Sequence, residues 1–100
     1  MSIIFEVIDK SGRKIRLTKE RWSHITSPAF LHPYMTNYLE EIKETLIKPN
    51  IMILQKTDGT NMNYYKYLKE RRRYLLVAVK YLNGDGYVTT AFMTRNVRRR

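Results

Sequence analysis

The residues of this 100-residue chain with the clearest potential for chemistry are a histidine and an arginine close together in sequence. His24 follows Glu20 by four residues and Arg21 by three, so on a helix the three side chains share one face. An imidazole can exchange a proton with an RNA 2′-OH or with a leaving oxygen, and a nearby guanidinium can stabilise the phosphate charge. This spacing predicts metal-independent RNA cleavage, and the alternative is an ordinary surface histidine.

The second histidine, His32, directly precedes Pro33. Proline restricts the residue before it to extended conformations, so the loop could hold the imidazole in one direction. A histidine in such a loop could equally cap the helix that follows. Both interpretations of His32 stay open.

Metal and cofactor chemistry find no support in the sequence. The chain has no cysteine and none of the usual motifs for binding nucleotides, dinucleotides, zinc or calcium. Its nine carboxylates lie mostly on one helix and in turns, which leaves little material for a two-metal nuclease site. We predict neither a metal site nor a cofactor.

Charge is unevenly distributed along the chain, whose net charge is +10. Residues 1–50 hold eight Lys or Arg and six Asp or Glu, whereas residues 51–100 hold eleven and three. Such a field attracts polyanions and makes their binding sensitive to salt. The composition favours a nucleic-acid partner, with a membrane surface or an acidic protein as alternatives.

Candidate RNA contacts cluster in the C-terminal half. In one strand, aromatic and cationic side chains occupy both faces, and stacking beside a cation is what single-stranded RNA requires. Lys80 interrupts an apolar run and must reach solvent, a carboxylate or a phosphate. The predicted nucleic-acid contacts are Arg21, Tyr64, Tyr65, Arg71, Arg72, Arg73 and Lys80.

The last strand provides hydroxyl groups. Alternation predicts that Val88, Thr90, Phe92 and Thr94 share one face, because successive side chains of a strand point to opposite sides. Thr90 and Thr94, with Arg95 at the strand end, could bind a phosphate. The alternative is a solvated edge of the sheet.

The periodicity predicts an α+β domain with an antiparallel sheet and two helices. The expected strands are residues 3–8, 13–17, 51–54, 62–68, 74–82 and 87–95, and the expected helices are residues 19–26 and residues 34 or 35–46. We expect one domain over residues 1–97 and a basic tail over residues 98–100. The longest apolar run is too short to span a bilayer and no signal peptide is evident, which predicts a cytoplasmic protein.

Several segments together resemble the phage and mobile-element branch of the superfamily that unites barnase, EndoU, colicin-type and RelE-like nucleases. In chain order they are LTKERWSHI (17–25), HP (32–33), YLEEI (38–42), YYK (64–66), YLLVAVK (74–80), VTTA (88–91) and TR (94–95). The resemblance covers nearly the whole chain.

This resemblance implies a RelE-like or barnase-like architecture, with a small antiparallel sheet against two N-terminal helices. It implies a catalytic set of His24, Lys66, Thr90 or Thr94, and Arg95. RNA, including tRNA or ribosome-bound mRNA, is the implied substrate. An acidic antitoxin or immunity protein is a possible partner.

Three functions remain open. A metal-independent endoribonuclease, of a toxin or phage effector type, would use His24 as the acid or base and Tyr64 or Tyr65 to stack a base. That function requires the His24 helix to pack near the Thr94 end of the last strand. The alternatives are a non-catalytic module that binds nucleic acid or ribosomes, and a protein-interaction domain that inhibits another factor.

Overall fold

A six-stranded sheet with helices packed on one face forms the framework of the computed structural model. The structure describes residues 2–27, 33–55 and 59–97. Its elements are β1 (Ile3–Ile8), β2 (Lys14–Thr18), α1 (Lys19–Thr26), a 3₁₀ helix (Pro33–Tyr38), α2 (Leu39–Ile47), β3 (Ile51–Leu54), β4 (Asn61–Leu68), β5 (Arg73–Tyr81) and β6 (Asp85–Thr94). The fold is α+β, as the sequence predicts.

The strand order is β1-β2-β6-β5-β4-β3. Only β2 and β6 run parallel among these neighbours, and Ile15 lies opposite Gly86 in that pair. A Cβ atom at residue 86 would lie 2.6 Å from the Lys80 carbonyl oxygen, so glycine is required where these strands meet. The sheet is therefore mostly antiparallel, with one parallel pair that hydrophobic alternation does not reveal.

The expectation of two N-terminal helices is wrong, because β1 and β2 precede both. This first hairpin supplies Ile15 and Leu17, which are completely buried, so it is part of the core. The helix predicted over residues 19–26 is confirmed as α1. Its first turn is capped by Thr18, whose Oγ1 accepts a hydrogen bond from the Arg21 amide at 3.1 Å.

The second helical segment differs from the single α-helix predicted over residues 34 or 35–46. Its first six residues form the 3₁₀ helix, and α2 begins at Leu39. Tyr38, the last residue of the 3₁₀ helix, has φ −119° and ψ 22°, outside α-helical values. A 3₁₀ helix aligns residues three apart, which directs both Met35 and Tyr38 towards the core.

One apolar cluster joins the helices to the sheet. Ile25 of α1 and Ile42 and Leu46 of α2 pack with Leu75 and Val77 of β5. All five side chains are at most 1% exposed. Burial on this scale is the main source of free energy that holds helices on a sheet.

A β-bulge changes which side chains of β6 face this core. Ala78 lies opposite Thr90, but the next residue of β5, Val79, lies opposite Val88, so Thr89 has no partner across the strands. The Thr89 hydroxyl donates to the Ala78 carbonyl at 3.1 Å. The predicted shared face of Val88 and Thr90 is therefore wrong, because one extra residue reverses the alternation between them.

The buried Asp9 carboxylate links the β1–β2 turn to Tyr64 of β4. One Asp9 oxygen accepts from the Ser11 amide, the Ser11 hydroxyl and the Arg13 amide at 3.0, 2.7 and 2.8 Å. The Tyr64 hydroxyl donates to the other oxygen and lies 2.6 Å from the Tyr81 hydroxyl. Burial, followed by the hydrogen bonds to Asp9 and Tyr81, raises the pKa of Tyr64 far above its ordinary value.

We expect Tyr64→Phe to lower the free energy of unfolding by about 1–3 kcal/mol at pH 7, because it leaves a buried Asp9 oxygen without its donor. The raised pKa also makes the Tyr64 contribution complete below the ordinary value of 10.0 and progressively lost above it, where only the unfolded chain ionises. Urea unfolding of both proteins at pH 7 and above pH 10 measures this. The stability gap should narrow at the higher pH, and a constant gap would contradict the assignment.

Candidate nucleic-acid interface

The helices cover only one face of the sheet among the described residues. The core cluster draws on Leu75, Val77 and Val79 of β5 but on none of the side chains that alternate with them. We call the opposite side of β4, β5 and β6 the open face. Its side chains are Asn61, Asn63, Tyr65, Tyr67, Tyr74, Leu76, Ala78, Lys80, Tyr87, Thr90, Phe92 and Thr94.

Aromatic side chains gather at one end of the open face. Tyr67 and Tyr74 lie on neighbouring strands with ring centroids 5.2 Å apart, and Tyr65 meets Tyr74 edge-on at 6.3 Å. Tyr67 is 44% exposed and Tyr74 is half-buried, whereas Tyr65 is fully buried. Packing of the rings against one another fixes their orientation and leaves Tyr67 with accessible ring surface.

Cationic and amide groups occupy the other end. Lys80 is half-buried on the open face, between Asn61 of β4 and Tyr87 of β6. The apolar strand therefore places its lysine on the side without helices, where the ammonium can remain hydrated. The sequence requires Lys80 to reach solvent, a carboxylate or a phosphate. Its position on the open face, outside the core, is consistent with that requirement.

The threonine hydroxyls of β6 also lie along the open face, with Thr90 between its two ends and Thr94 at the aromatic end. Thr90 is opposite Ala78, and Thr94 is opposite Tyr74, so both are on the open face. The Thr94 hydroxyl donates to the Asn96 carbonyl at 3.2 Å, and Arg95 is exposed just beyond the strand. The predicted phosphate contacts of these three residues stay predictions.

Of the two tyrosines predicted to stack a base, neither presents surface in this conformation. Tyr64 faces the core and Tyr65 the open face, and both are 0% exposed. Tyr67 was not among the predicted contacts, although its position near the end of β4, beside the basic turn, could have identified it as one. Alternation alone could not separate these tyrosines, because aromatic residues occupy both faces of β4.

His24 lies on α1, whose core residue Ile25 packs against the helix-covered side of the sheet. Its imidazole is exposed and lines a groove of ≈ 500 Å³ with Glu20, Arg21, Ser23 and Ser27. The predicted grouping of Glu20, Arg21 and His24 on one helix surface is confirmed. Groups for proton transfer and for binding a phosphate are thus adjacent here.

A smaller pocket of ≈ 280 Å³ adjoins this groove and shares Glu20 and Arg21 with it. Tyr87 of the open face lines the smaller pocket, so the two cavities connect α1 with β6 near its first residues. Thr94 lies seven residues further along β6, roughly 20 Å away at the usual rise of a strand. The structure therefore brings His24 together with Arg21, and the predicted meeting of His24 with Thr94 stays a prediction.

Lys66, the predicted cation of the middle strand, contacts α2. Its Nζ lies 3.4 Å from the Glu44 carboxylate and donates to the Lys48 carbonyl at 3.1 Å. That carbonyl belongs to Lys48, the residue directly after α2. Lys66 thus satisfies a helix terminus, and its predicted catalytic role stays a prediction.

Arg71 and Arg72 of the β4–β5 turn and Arg73, the first residue of β5, form a separate basic surface. Arg71 and Arg73 line a cavity of ≈ 350 Å³ with Tyr34, Glu70 and Met93. The Arg71 guanidinium is 5.9 Å from the centre of the Tyr38 ring. Arg72 has a positive φ of 52° and is exposed, as a tight turn between two strands requires.

Other sequence predictions find only partial description. His32 and the tail over residues 98–100 lie outside the described residues. Within the described ranges, no group of three or more carboxylate or histidine side chains could hold a metal ion. None of the described helices is long and apolar enough to cross a membrane.

No protein-family model, curated protein or solved structure matches this chain. The candidate site therefore stands on the geometry of the chain itself.

We expect Lys66→Ala to lower the free energy of unfolding by about 1 kcal/mol, because the carbonyl at the end of α2 loses its donor. Lys69→Ala, an exposed lysine in the next turn, is the matched control and should leave the urea midpoint unchanged. Equal midpoints for the two variants would show that the Lys66 contacts add no stability.

Proposed function

We propose that this protein binds single-stranded RNA on its open face. The observation that carries the proposal is a sheet surface that none of the described helices covers, on which an aromatic cluster with Tyr67 exposed lies beside threonine hydroxyls and a lysine. Aromatic rings stack on unpaired bases of any sequence, while cations and hydroxyls contact the phosphates. The net charge of +10 would draw the polyanion to this surface.

The dimensions of the open face suit an extended strand. Side chains on the same face recur every second residue, roughly 6.6 Å along each β-strand. Tyr67, Phe92, Thr90 and Lys80 lie in four successive cross-strand rows. A single strand laid along β5 would therefore meet ring surfaces at one end and an ammonium group at the other.

The six-stranded α+β fold is compatible with the RelE-like or barnase-like architecture that the sequence resembles, and we adopt that architecture as part of the proposal. The substrate would then be tRNA or ribosome-bound mRNA in the cytoplasm. An acidic antitoxin or immunity protein would be the natural inhibitor, because its charge is complementary to the basic half of the chain.

Tyr67→Ala should weaken binding of a single-stranded RNA of about ten nucleotides by about 5- to 150-fold, the loss of one base–aromatic stack. Tyr67→Phe keeps the ring and should retain the affinity. Fluorescence anisotropy with a labelled oligonucleotide measures both, and Ile47→Ala on the exposed surface of α2 controls for loss of an apolar side chain.

The same assay, repeated over a range of salt concentrations, tests Lys80. Lys80→Gln should reduce the slope of log affinity against log salt by about 1, because one phosphate contact is lost. Lys43→Gln, on α2 beside Glu40, should leave the slope unchanged. Undiminished binding by both Tyr67→Ala and Lys80→Gln would exclude the open face as the RNA site.

RNA cleavage is the second candidate function, and a specific observation favours it. The groove lined by His24 and Arg21 adjoins a second pocket, which shares Glu20 and Arg21 with it and is also lined by Tyr87 of the open face. A strand bound on that face could thus extend to His24. The imidazole would take the proton of the attacking 2′-OH or supply one to the leaving 5′ oxygen, and Arg21 would stabilise the phosphorane.

We expect the wild type to cleave total RNA in EDTA and His24→Ala to be slower by a factor of about 100 or more. Asn37→Ala, an exposed substitution in the 3₁₀ helix, should be as active as the wild type. Assaying Lys66→Ala, Thr90→Val, Thr94→Val and Arg95→Ala beside them separates the remaining predicted catalytic groups.

An inactive wild type that still binds RNA would leave the non-catalytic binding module. Absence of RNA binding at physiological salt, together with capture of an acidic protein, would instead support the protein-interaction inhibitor.

A further inference from the structure

The outer edge of β1 has no partner strand among the described residues, because β1 lies at one end of the sheet. The Asp9 amide donates to the Arg13 carbonyl at 2.9 Å, and hydrogen-bonded pairs of an antiparallel ladder alternate with non-bonded pairs. By this alternation Val7 bonds to β2, whereas the amides and carbonyls of Glu6 and Ile8 point away from it. Such an edge is a template for pairing with a further strand.

Exposed isoleucines gather beside this edge. Ile3 and Ile8 of β1 are exposed, as is Ile47 at the end of α2, and Ile8 at 57% is the most exposed large apolar side chain of the described residues. Ile47 lines a groove of ≈ 520 Å³ with Val7, and the other lining residues come from α2 and the residue directly after it. Natural sheets usually protect a free edge with lysine or proline, and β1 contains neither. The edge therefore has the properties of an interaction surface.

The charges beside the edge suit a protein rather than RNA. The groove is lined by two carboxylates and two ammonium groups, those of Glu40, Glu44, Lys43 and Lys48, and β1 adds the exposed carboxylate of Glu6. Glu40 and Lys43 pair with each other at 3.0 Å. On a chain of net charge +10, a groove of balanced charge is a place where two copies can approach without the repulsion that the basic surfaces would cause.

The β1 strand is complementary to itself. In an antiparallel pair about a twofold axis at Val7, Glu6 lies opposite Ile8 of the second copy, so the outward amides and carbonyls of these residues can bond to each other. The two Glu6 carboxylates do not lie directly opposite, and the two Val7 side chains meet at the axis. Pairing of β1 with the β3 edge of another copy would leave a free edge at each end and continue into a filament, whereas the twofold pair is closed.

We propose that the protein forms a twofold homodimer through β1, in which two six-stranded sheets join edge to edge. Side chains on the same face stay together across an antiparallel pair, so the helices of both copies lie on one side of the joined sheet and both open faces on the other. The strands of the open face, β4, β5 and β6, are not part of the interface. The dimer therefore concerns a different surface from the proposed RNA site and does not depend on it.

Sedimentation equilibrium without RNA should give an average mass that rises with protein concentration from that of one chain towards that of two. Ile8→Lys places an ammonium group on the paired edge and should weaken dimerisation by about 10-fold or more. Leu54→Lys makes the same change in charge and apolar surface on β3, the other edge strand, and should leave the dimer intact. Circular dichroism checks that both variants fold.

Val7→Cys tests the register of the pair. Across a non-hydrogen-bonded antiparallel pair the Cα atoms are about 4.5 Å apart, which is within the range of a disulfide. The chain has no cysteine, so oxidised glutathione should convert this variant into a single covalent dimer. Leu54→Cys is the matched control on β3 and should form the cross-link about 10-fold more slowly or less.

A wild type that stays monomeric up to its solubility limit would overturn the dimer, as would a dimer that Ile8→Lys leaves intact. If Ile8→Lys does not fold, the cysteine variants decide, and equal rates of cross-linking for Val7→Cys and Leu54→Cys would reject pairing through β1. Neither measurement contains RNA, so failure of the dimer would leave the open-face proposal standing.

Discussion

One residue without a cross-strand partner, Thr89, determines what each side of the last strand presents. Without the bulge, Val88 and Thr90 would share a face, and either a hydroxyl would enter the core or a valine would leave it. The bulge lets Val88, Ala91 and Met93 pack under the helices while Thr90, Phe92 and Thr94 face the other way. The helix packing and the polar open face are therefore two results of the same local irregularity.

The side of the sheet under the helices contributes stability, whereas the open face keeps some side chains accessible to solvent. Under the helices, the buried Asp9 carboxylate orders the first turn and binds Tyr64, so polar groups there are satisfied internally. On the other side, Tyr67 and Lys80 keep part of their surface for solvent. The role of a charged or aromatic residue therefore depends on the side of the sheet that it occupies. Lys66, on the helix side, bonds to the end of α2, whereas Lys80, on the open face, lies outside the core.

Much of the fold could be predicted from the sequence, and the failures have identifiable causes. The sequence carries local signals for α1, because Thr18 is a residue type that caps helices and Trp22 and Ile25 are three residues apart on an apolar stripe. The 3₁₀ helix and the parallel β2–β6 pair could not be predicted. The first depends on how Met35 and Tyr38 pack, and the second joins residues far apart in the chain, so neither leaves a local pattern.

The candidate site was predictable in its composition but less so in its geometry. The grouping of Glu20, Arg21 and His24 followed from helical spacing. The choice among Tyr64, Tyr65 and Tyr67 did not, because it depends on neighbouring strands. Arg16, which lines a pocket with Tyr87, was missed altogether, since its ion pair with Asp85 at 2.7 Å joins residues that are far apart in the chain.

The parallel pairing of β2 with β6 has a consequence for the order in which the molecule can assemble. The ion pair between Arg16 and Asp85 joins these strands across 69 residues of sequence. The pairing of the first hairpin with β6 is therefore a long-range step in folding. Four antiparallel strands, β3 to β6, can form progressively as neighbours, whereas β1 and β2 close the sheet by a long-range step. During synthesis the pairing of β2 with β6 could form only after β6 has emerged from the ribosome, so the surface between these two strands would be among the last to take shape.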